Sequence, residues 1–306
     1  MHCPSLKQLP PPPEGKTGWP WTEDTPSLDT TDLCGFQWPR VSIITPSYNQ
    51  GDYIEATIRS VLLQGYPDIE YIIMDGGSND TTTGILERYK DFFKHLSIKK
   101  DKGQSDAIKK GFSIASGYYI GWINSDDIYL KYCLFNVVKQ FIHFSDKEWL
   151  IGSGIFIDSR GNFLLNCKSP VITKNSLMIF GITFLQPSVF FSKILYNRVS
   201  GIDIRLSFCF DYDLFIKFVL EEKPLITDYY LSAFRIHEKS KTTLLTKLNY
   251  KEHKLIQEKY HKNLIIHNLF CGPYYFAYGF YLFLFRLYTS GIQQYFIFKL
   301  KILKWI

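Results

Sequence analysis

Residues 118–127 read Tyr-Tyr-Ile-Gly-Trp-Ile-Asn-Ser-Asp-Asp, and this stretch decides the expected fold. The apolar part, Tyr118 to Ile123, predicts a buried strand. The strand ends abruptly in four polar residues, Asn124 to Asp127. In open parallel sheets, ligands bind beyond the carboxyl ends of the strands. The stretch therefore predicts an α/β fold whose chemistry lies in a loop after a buried strand.

The segments before this stretch alternate strand and helix in the same way. Val41 to Ile44 and Tyr71 to Met74 are short apolar runs that predict strands. Helical periodicity follows each of these strands, with apolar faces over 54–62 and 85–93. A further helix is expected from Asp106 to Ala115. Alternation of this kind predicts βαβ units and a largely parallel sheet.

The alternation weakens after about residue 147. Residues 155–157 and 163–165 flank a polar turn and predict a hairpin. Residues 214–220 have a helical pattern, and residues 231–236 predict a last strand before His237. We therefore expect an antiparallel or mixed half after the parallel half.

Three regions differ in composition. Residues 1–39 form a Pro- and Trp-rich arm without an apolar stretch, so we expect no secretory signal there. Composition leaves open whether this arm docks through its tryptophans or stays free. Residues 40–245 carry the α/β pattern. Residues 246–306 form a helical tail, rich in aromatic and basic residues.

The tail predicts contact with a membrane surface. The run Leu269–Phe285 has no charged residue but contains Gly272 and Pro273, and it is short for a span of about 20 residues. Lysines interleave with apolar residues over 299–305, which favours an interfacial attachment. A helical cap packed on the core is the alternative, and a single tilted span is a weaker one. We expect a cytoplasmic protein attached peripherally to the inner face of the membrane.

Composition predicts a folded protein that does not bind nucleic acid or a cysteine-ligated metal. The chain has 306 residues, 46% of them hydrophobic, which is ample for a core. Its net charge of +6 is the excess of 35 Lys and Arg over 29 Asp and Glu. The basic residues are spread along the chain, so we expect no nucleic-acid partner. The six cysteines have no metal-ligand spacing and are expected to be reduced.

Two sets of acids could carry chemistry. Asp126 and Asp127, directly after the buried strand, offer the hard oxygen ligands that Mg²⁺ or Mn²⁺ prefers. Asp211 and Asp213 begin a helix, where a carboxylate could act as a base or simply complement the helix dipole. His237 follows the last strand and would be a metal ligand only if it met the first pair.

Two further loops could form the floor of a nucleotide site. They follow the first two strands and read Thr-Pro-Ser-Tyr-Asn at 45–49 and Asp-Gly-Gly-Ser-Asn-Asp at 75–80. Tyr48 could stack on a base, and Asp75 could accept a hydrogen bond from a base or ribose. The glycines would allow close approach of the backbone, although they also serve ordinary turns.

Four motifs together resemble those of the bacterial family 2 glycosyltransferases. They are Pro-Ser-Tyr-Asn-Gln-Gly at 46–51, Asp-Gly-Gly-Ser-Asn-Asp at 75–80, Gly-Gln-Ser-Asp-Ala-Ile at 103–108 and Trp-Ile-Asn-Ser-Asp-Asp at 122–127. Their order and spacing match over about residues 40–243. The resemblance implies a GT-A fold with a Rossmann-like mixed sheet, a nucleoside-diphosphate-sugar donor (most often a UDP-sugar), a divalent cation and inversion at the anomeric carbon. The acceptor would be a saccharide or a lipid-linked molecule of the cell envelope.

The resemblance also assigns roles to residues. It makes Asp127 a metal ligand, with Asp126 at the ribose or the metal, and Asp211 the catalytic base. It places His237 at the metal or the pyrophosphate. The remaining donor-binding positions that it implies are Pro46, Tyr48, Asn49, Asp75, Gln104 and Asp106.

The chain departs from the family pattern in three places. Gly76 stands where many members have a second acid, which leaves uracil recognition open, and Phe210 stands where many have Glu. The Gln-x-x-Arg-Trp motif of processive synthases is absent, which favours transfer of a single sugar. A sugar nucleotidyltransferase and a degenerate sugar-binding domain are the rival functions. The first would need a basic phosphate loop, which 46–51 lacks, and the second would have lost acids that this chain keeps.

Overall fold

The computed structural model describes residues 2–27, 37–238, 240 and 247–260, with the backbone alone at 247–250. Its strands are β1 Val41–Ser47, β2 Ile69–Asp75, β3 His95–Ile98, β4 Tyr119–Trp122, β5 Ile128–Tyr129, β6 Trp149–Ile157, β7 Phe163–Cys167, β8 Val189–Ser192 and β9 Leu225–Arg235. Its helices are α1 Ile54–Leu62, α2 Thr82–Arg88, α3 Gln104–Ile114, α4 Cys133–His143, α5 Lys174–Phe180, α6 Lys193–Arg198, α7 Phe210–Glu221 and α8 Lys247–Tyr260.

One mixed sheet contains all of these strands. Its order is β3-β2-β1-β4-β8-β6-β9-β5, with β7 paired to β6. The strands β3, β2, β1 and β4 are parallel, whereas β8 is antiparallel to both β4 and β6, and β5 is antiparallel to β9. The predicted parallel half, mixed half and hairpin are therefore confirmed.

The core lies on both faces of the sheet, because alternate strand residues point to opposite sides. Ile43 packs in the cluster formed with α1, α2 and α4, whereas its neighbour Ile44 packs in the cluster formed with α3, α5, α6 and α7. Every residue of β1, β2 and β4 is buried, because these central strands are covered on both faces.

The N-terminal arm docks on α1 through Arg59, a side chain with no exposed surface. Its guanidinium donates to the carbonyl oxygens of Pro10 (2.8 Å), Pro20 (3.0 Å) and Trp21 (2.8 Å), and to the hydroxyl of Tyr89 (2.9 Å). An arm of this composition has few backbone partners of its own, so a buried arginine supplies the donors that its carbonyls require. The arm is therefore part of the folded structure.

The tryptophans of the arm strengthen this docking. Trp19 donates from Nε1 to the carbonyl of Tyr129 at 2.8 Å, which ties the arm to β5. Trp21 packs with Trp19 on a cluster that includes Ile128, and Trp38 packs on the ring of Tyr66. The docked alternative thus holds for the described part of the arm.

The C-terminal tail is described only as far as α8. Residues 261–306, which contain the predicted membrane-contacting segment, lie outside the described residues. Within the part that is described, no helix is long and apolar enough to cross a membrane.

Replacing Arg59 by methionine is expected to lower the free energy of unfolding by about 3 kcal/mol, because one buried and two partly buried carbonyl groups lose their charged donor. Urea unfolding measures this change. Arg40→Met is the matched control, since Arg40 is half-exposed and its bonds to Asp68 and Ser116 lie at the surface; it should cost less than about 1 kcal/mol. Equal losses in the two variants would contradict the role given to Arg59.

Candidate active site

The loop after β4 is fixed by the buried carboxylate of Asp127, which is 1% exposed. Its Oδ1 accepts the backbone N–H of Arg235 at 2.9 Å, and its own carbonyl accepts the hydroxyl of Thr57 at 2.7 Å. Burial raises the pKa of Asp127 well above its ordinary value, and the nearby charge of Asp126 adds to the rise. Asp127 therefore joins the end of β4 to the end of β9 and to α1.

Asp126 and His237 meet at this junction. Nε2 of His237 lies 2.9 Å from Oδ2 of Asp126, with 17% of the Asp126 side chain exposed. The partnership that the sequence could not show is thus present, because Asp126 follows β4 and His237 follows β9. Asp126, rather than Asp127, turns its carboxylate outward.

The side chain of Arg235 supports the Asp126–His237 pair, and the sequence did not predict this role. It is 4% exposed, and its Nε donates to the carbonyl of Asp126 at 2.8 Å. Its guanidinium lies 5.1 Å from the ring centre of Tyr53, which in turn lies 4.5 Å from the His237 ring. Burial lowers the pKa of Arg235, although Asp127 and Asp126 oppose that effect. The position of Arg235, two residues before His237 at the end of an apolar strand, was the only available signal.

The donor set fits a divalent cation. A carboxylate oxygen and an imidazole nitrogen are ligands that Mn²⁺ accepts. Their 2.9 Å separation is close to the roughly 3 Å between neighbouring ligands of an octahedral cation bound at about 2.1 Å. Among the described residues, no group of three or more His, Cys, Asp or Glu side chains is arranged to hold a metal. A cation here would rely on substrate oxygens for further ligands.

Gln104, which the family resemblance assigns to the donor, reaches the same loop. It begins α3 and donates from Nε2 to Oδ1 of Asn124 at 2.8 Å. Asn124 lies 3.3 Å from Oε1 of Gln186, whose Nε2 donates to the carbonyl of Trp122 at 2.9 Å. The amides of Gln104 and Gln186 therefore hold Asn124 beyond the end of β4.

The loops after β1 and β2 bind each other. Tyr48 is 60% exposed, so its ring is free to stack on a ligand. Asn49 has a left-handed backbone (φ 51°), its N–H donates to Oγ of Ser78 at 2.8 Å, and its Oδ1 accepts the N–H of Asn79 at 2.9 Å. Pro46 is buried in β1 beside Met74. Of these predicted nucleoside contacts, Tyr48 and Asn49 are exposed, whereas Pro46 is buried.

Asp75 shapes its own loop. It is 2% exposed, and it accepts the N–H groups of Gly77 (3.0 Å) and Ser78 (2.8 Å) on Oδ1 and the Ser78 hydroxyl (2.6 Å) on Oδ2. A Cβ added at Gly76 would lie 3.0 Å from Oδ2 of Asp101. An acid from the segment after β3 therefore stands next to the place where many family members carry their second acid.

Asp106 is likewise engaged within the protein. Its Oδ2 accepts the N–H of Lys102 at 3.0 Å and the ammonium of Lys110 at 2.7 Å. Burial by itself would raise the pKa of Asp106, but these two donors outweigh burial and lower it. Asp106 thus fixes the first turn of α3, which carries Gln104.

Asp211 belongs to the mixed half of the fold. It lies on the first turn of α7 and is half-buried. Phe215 of the same helix stacks on Trp122 of β4, with ring centres 5.9 Å apart, so α7 is anchored against the strand that leads to the acid loop. Asp213 has a different role, since it is fully buried and pairs with Lys217 and Lys259.

Glu252 of α8 holds the start of α7 and was not foreseen from the sequence. It is 5% exposed and accepts three consecutive N–H groups, those of Ser207 (2.8 Å), Phe208 (2.8 Å) and Cys209 (3.0 Å). These three residues form the turn that leads into α7, so the carboxylate ties α8 to the start of that helix. Nothing in the local pattern of α8 distinguishes Glu252 from its other acids.

Comparison with known proteins identifies the family. Residues 42–162 match the model of Glycosyl transferase family 2. An uncharacterised glycosyltransferase of Rickettsia prowazekii (strain Madrid E) is 30% identical over 211 residues, which cover 65% of this chain and 64% of the relative. The chain belongs to glycosyl transferase family 2. It spans less than two thirds of the length of that relative.

A second relative is the putative teichuronic acid biosynthesis glycosyltransferase TuaG of Bacillus subtilis (strain 168). It is 41% identical over 96 residues, which cover 30% of this chain and 38% of TuaG.

Two solved structures share the fold. TarS 1–349 of S. aureus in complex with UDP-GlcNAc has a TM-score of 0.59 at 19% identity, over 74% of this chain and 69% of that one. The mannosyltransferase PcManGT of Pyrobaculum calidifontis, in complex with GDP-Man and Mn²⁺, has a TM-score of 0.54 at 14% identity, over 79% and 66%. The predicted GT-A fold is confirmed.

Removing the Glu252 carboxylate is expected to destabilise this family 2 domain. Glu252→Ala leaves three N–H groups without their charged acceptor and should lower the free energy of unfolding by about 2–3 kcal/mol in urea titrations. Glu258→Ala on the same helix is the control, because Glu258 is half-exposed and lies 3.8 Å from its only ion-pair partner among the described residues, Lys254; less than about 0.5 kcal/mol is expected. A loss in Glu258→Ala as large as that in Glu252→Ala would speak against the helix-start contact.

Proposed function

We propose that the chain transfers a single sugar from a nucleoside-diphosphate sugar to an acceptor hydroxyl, with inversion at the anomeric carbon. The observation that carries the proposal is the pairing of Asp126 and His237 at 2.9 Å, at the carboxyl end of β4 in a family 2 domain. Ligands of open α/β sheets bind at this edge. The exposed Tyr48 and the Gln104–Asn124 bond lie on loops of the same edge.

Asp126 and His237 are the residues that we assign to a divalent cation, Mn²⁺ or Mg²⁺, together with oxygens of the donor diphosphate. When bound, such a cation offsets the negative charge that develops on the departing diphosphate. Asp127 and Arg235 have a supporting role here, since their contacts fix the backbone that presents Asp126. This assignment differs from that implied by the family resemblance, because the Asp127 carboxylate is bound to the backbone of Arg235 and almost fully buried.

Asp211 is the residue that we assign as general base. Its carboxylate takes the proton of the acceptor hydroxyl, the oxygen forms a bond to the anomeric carbon, and the bond from that carbon to the diphosphate oxygen breaks. Attack on the face opposite the leaving group inverts the configuration. The proton then passes from Asp211 to solvent.

The donor proposed is a UDP- or GDP-sugar. TarS binds UDP-GlcNAc and PcManGT binds GDP-Man, and both share the fold. Gly76 occupies a position where many family members have an acid that is expected near the nucleobase, and Asp101 lies beside it. The arrangement of these two residues therefore bears on the choice of nucleotide.

The acceptor proposed is a saccharide or lipid-linked molecule of the cell envelope. The similarity to TuaG, a glycosyltransferase assigned to teichuronic acid biosynthesis, supports an envelope polysaccharide. The aromatic and basic sequence of residues 264–306 supports a site of action at the inner face of the membrane.

Substitution of the two acids tests the proposed roles. Asp211→Asn should lower the rate of donor turnover about 10²- to 10⁴-fold, because the base is lost. Asp126→Asn should lower it about 10²-fold and weaken the response to Mn²⁺. The assay follows release of nucleoside diphosphate from UDP-GlcNAc and from GDP-mannose, with Mn²⁺ or with EDTA.

Asp228→Asn is the matched control, because it removes an exposed carboxylate near the opposite end of β9 and should leave the rate unchanged. Near wild-type turnover in folded Asp211→Asn and Asp126→Asn would sink the assignment. Absence of any donor turnover in the wild type would favour a sugar-binding domain. Proton NMR of the sugar first released from an α-linked donor should show the β anomer, and an α product would exclude inversion.

Membrane attachment is tested by shortening the chain. A protein ending at Lys262 should move from the membrane fraction to the soluble fraction, because residues 264–306 supply the apolar and basic surface. Replacing Lys299, Lys301 and Lys304 by glutamine in the full chain should weaken attachment in a salt-dependent way. Unchanged fractionation of both variants would contradict the role of residues 264–306 in membrane attachment.

A further inference from the structure

A cavity of about 390 Å³ lies between α3, the loop 199–205, α7 and α8. None of the residues assigned above to the donor, the cation or the base lines it. Its charged lining residues come from four separate parts of the chain: Lys109, Asp203, Arg205, Lys217 and Lys259. Its volume falls within the range of ordinary small-molecule sites, about 300–1,000 Å³.

A buried carboxylate organises the wall of this cavity. Asp213 has no exposed surface, and its two oxygens lie 2.7 Å from the ammonium of Lys217 and 2.8 Å from that of Lys259. Lys217 also donates to the carbonyl of Gly201 at 2.9 Å. The two ammonium groups are therefore held in fixed positions, and one carboxylate leaves one of their positive charges uncompensated.

Of the other charged lining residues, Lys109 adds to this positive excess and the pair Arg205–Asp203 does not. Arg205 pairs with Asp203 at 2.6 Å, and this hydrogen bond lowers the pKa of Asp203 to about 2, so the pair is neutral at pH 7. Lys109 projects from the exposed side of α3 and makes no ion pair with any residue that the structure describes. The lining together with Asp213 thus has four cations against two carboxylates, which leaves two positive charges.

We propose that this cavity binds a phosphate group, carried either by a soluble phosphate ester or by an anionic lipid headgroup. A phosphate monoester has a charge of about −1.5 to −2 at pH 7 and three terminal oxygens, which matches ammonium groups from three helices. A single carboxylate would leave the excess only half compensated. The proposal does not depend on sugar transfer.

A bound phosphate would contact α3, α7 and α8 together. It would approach Lys109 and the Lys217–Lys259 pair, and it would thereby stabilise the native state. The last of these lysines is one residue before the end of α8, so the chain passes from the cavity directly to residue 261 and the predicted membrane-contacting tail. A lipid headgroup is therefore one of the two sources to be distinguished.

The soluble source is tested by calorimetric titration of the full chain with inorganic phosphate and with glycerol phosphate. EDTA is present so that no cation recruits phosphate to Asp126. We expect Lys109→Gln to bind about tenfold more weakly than the wild type, because one charged donor is lost. Lys110→Gln is the matched control: it removes the same charge from the next residue of α3, outside the cavity. Lys259→Gln should also weaken binding.

The lipid source is tested by sedimentation with phosphatidic acid–phosphatidylcholine vesicles, because phosphatidic acid carries a phosphate monoester. Vesicles of phosphatidylcholine alone are the comparison. If the headgroup is the ligand, Lys109→Gln should reduce binding to the anionic vesicles about tenfold relative to Lys110→Gln. A difference in either assay supports the proposal and names the source. The proposal is overturned if the two variants agree within about twofold in both assays, or if the wild type binds neither probe.

Discussion

The bond between the Asp127 carboxylate and the backbone N–H of Arg235 is the contact on which the rest of the site depends. The strands β4 and β9 are not neighbours in the sheet, since β8 and β6 lie between them. The short β5 directly follows Asp127 and pairs with β9. The chain therefore passes from β4 to the far side of β8 and β6 within the loop that contains Asp127. A carboxylate buried at this crossing must find donors, and it finds one on β9.

This contact has a direct chemical consequence. Because Asp127 fixes the two strand ends together, the adjacent Asp126 and the nearby His237 come within 2.9 Å. Arg235 contributes both its backbone N–H to Asp127 and its side chain to the carbonyl of Asp126. The same buried residues that stabilise the junction therefore orient the two groups that we assign to the cation.

Buried carboxylates recur as organisers elsewhere in the molecule. Asp75 shapes the loop after β2, Asp106 the start of α3, Asp213 the contact of α7 with α8, and Glu252 the start of α7. Each accepts nearby N–H or ammonium donors and so holds a loop or a helix end. The two acids to which we assign chemistry, Asp126 and Asp211, are more exposed than these organisers.

The sequence by itself determined the parallel half, the hairpin, the helices α1, α2, α3 and α7 and the place of the acid loop, because periodicity and turn chemistry are local properties. Four ordered motifs also determined the family. Only the tertiary structure decided that His237 meets Asp126, that Asp127 is buried, and that Asp75 and Asp106 serve their own loops. It also decided that Arg59 and Glu252 hold the arm and α7. These facts depend on partners distant in the chain, such as Asp127 and Arg235, and a local pattern contains no information about which distant donor a buried acid will meet.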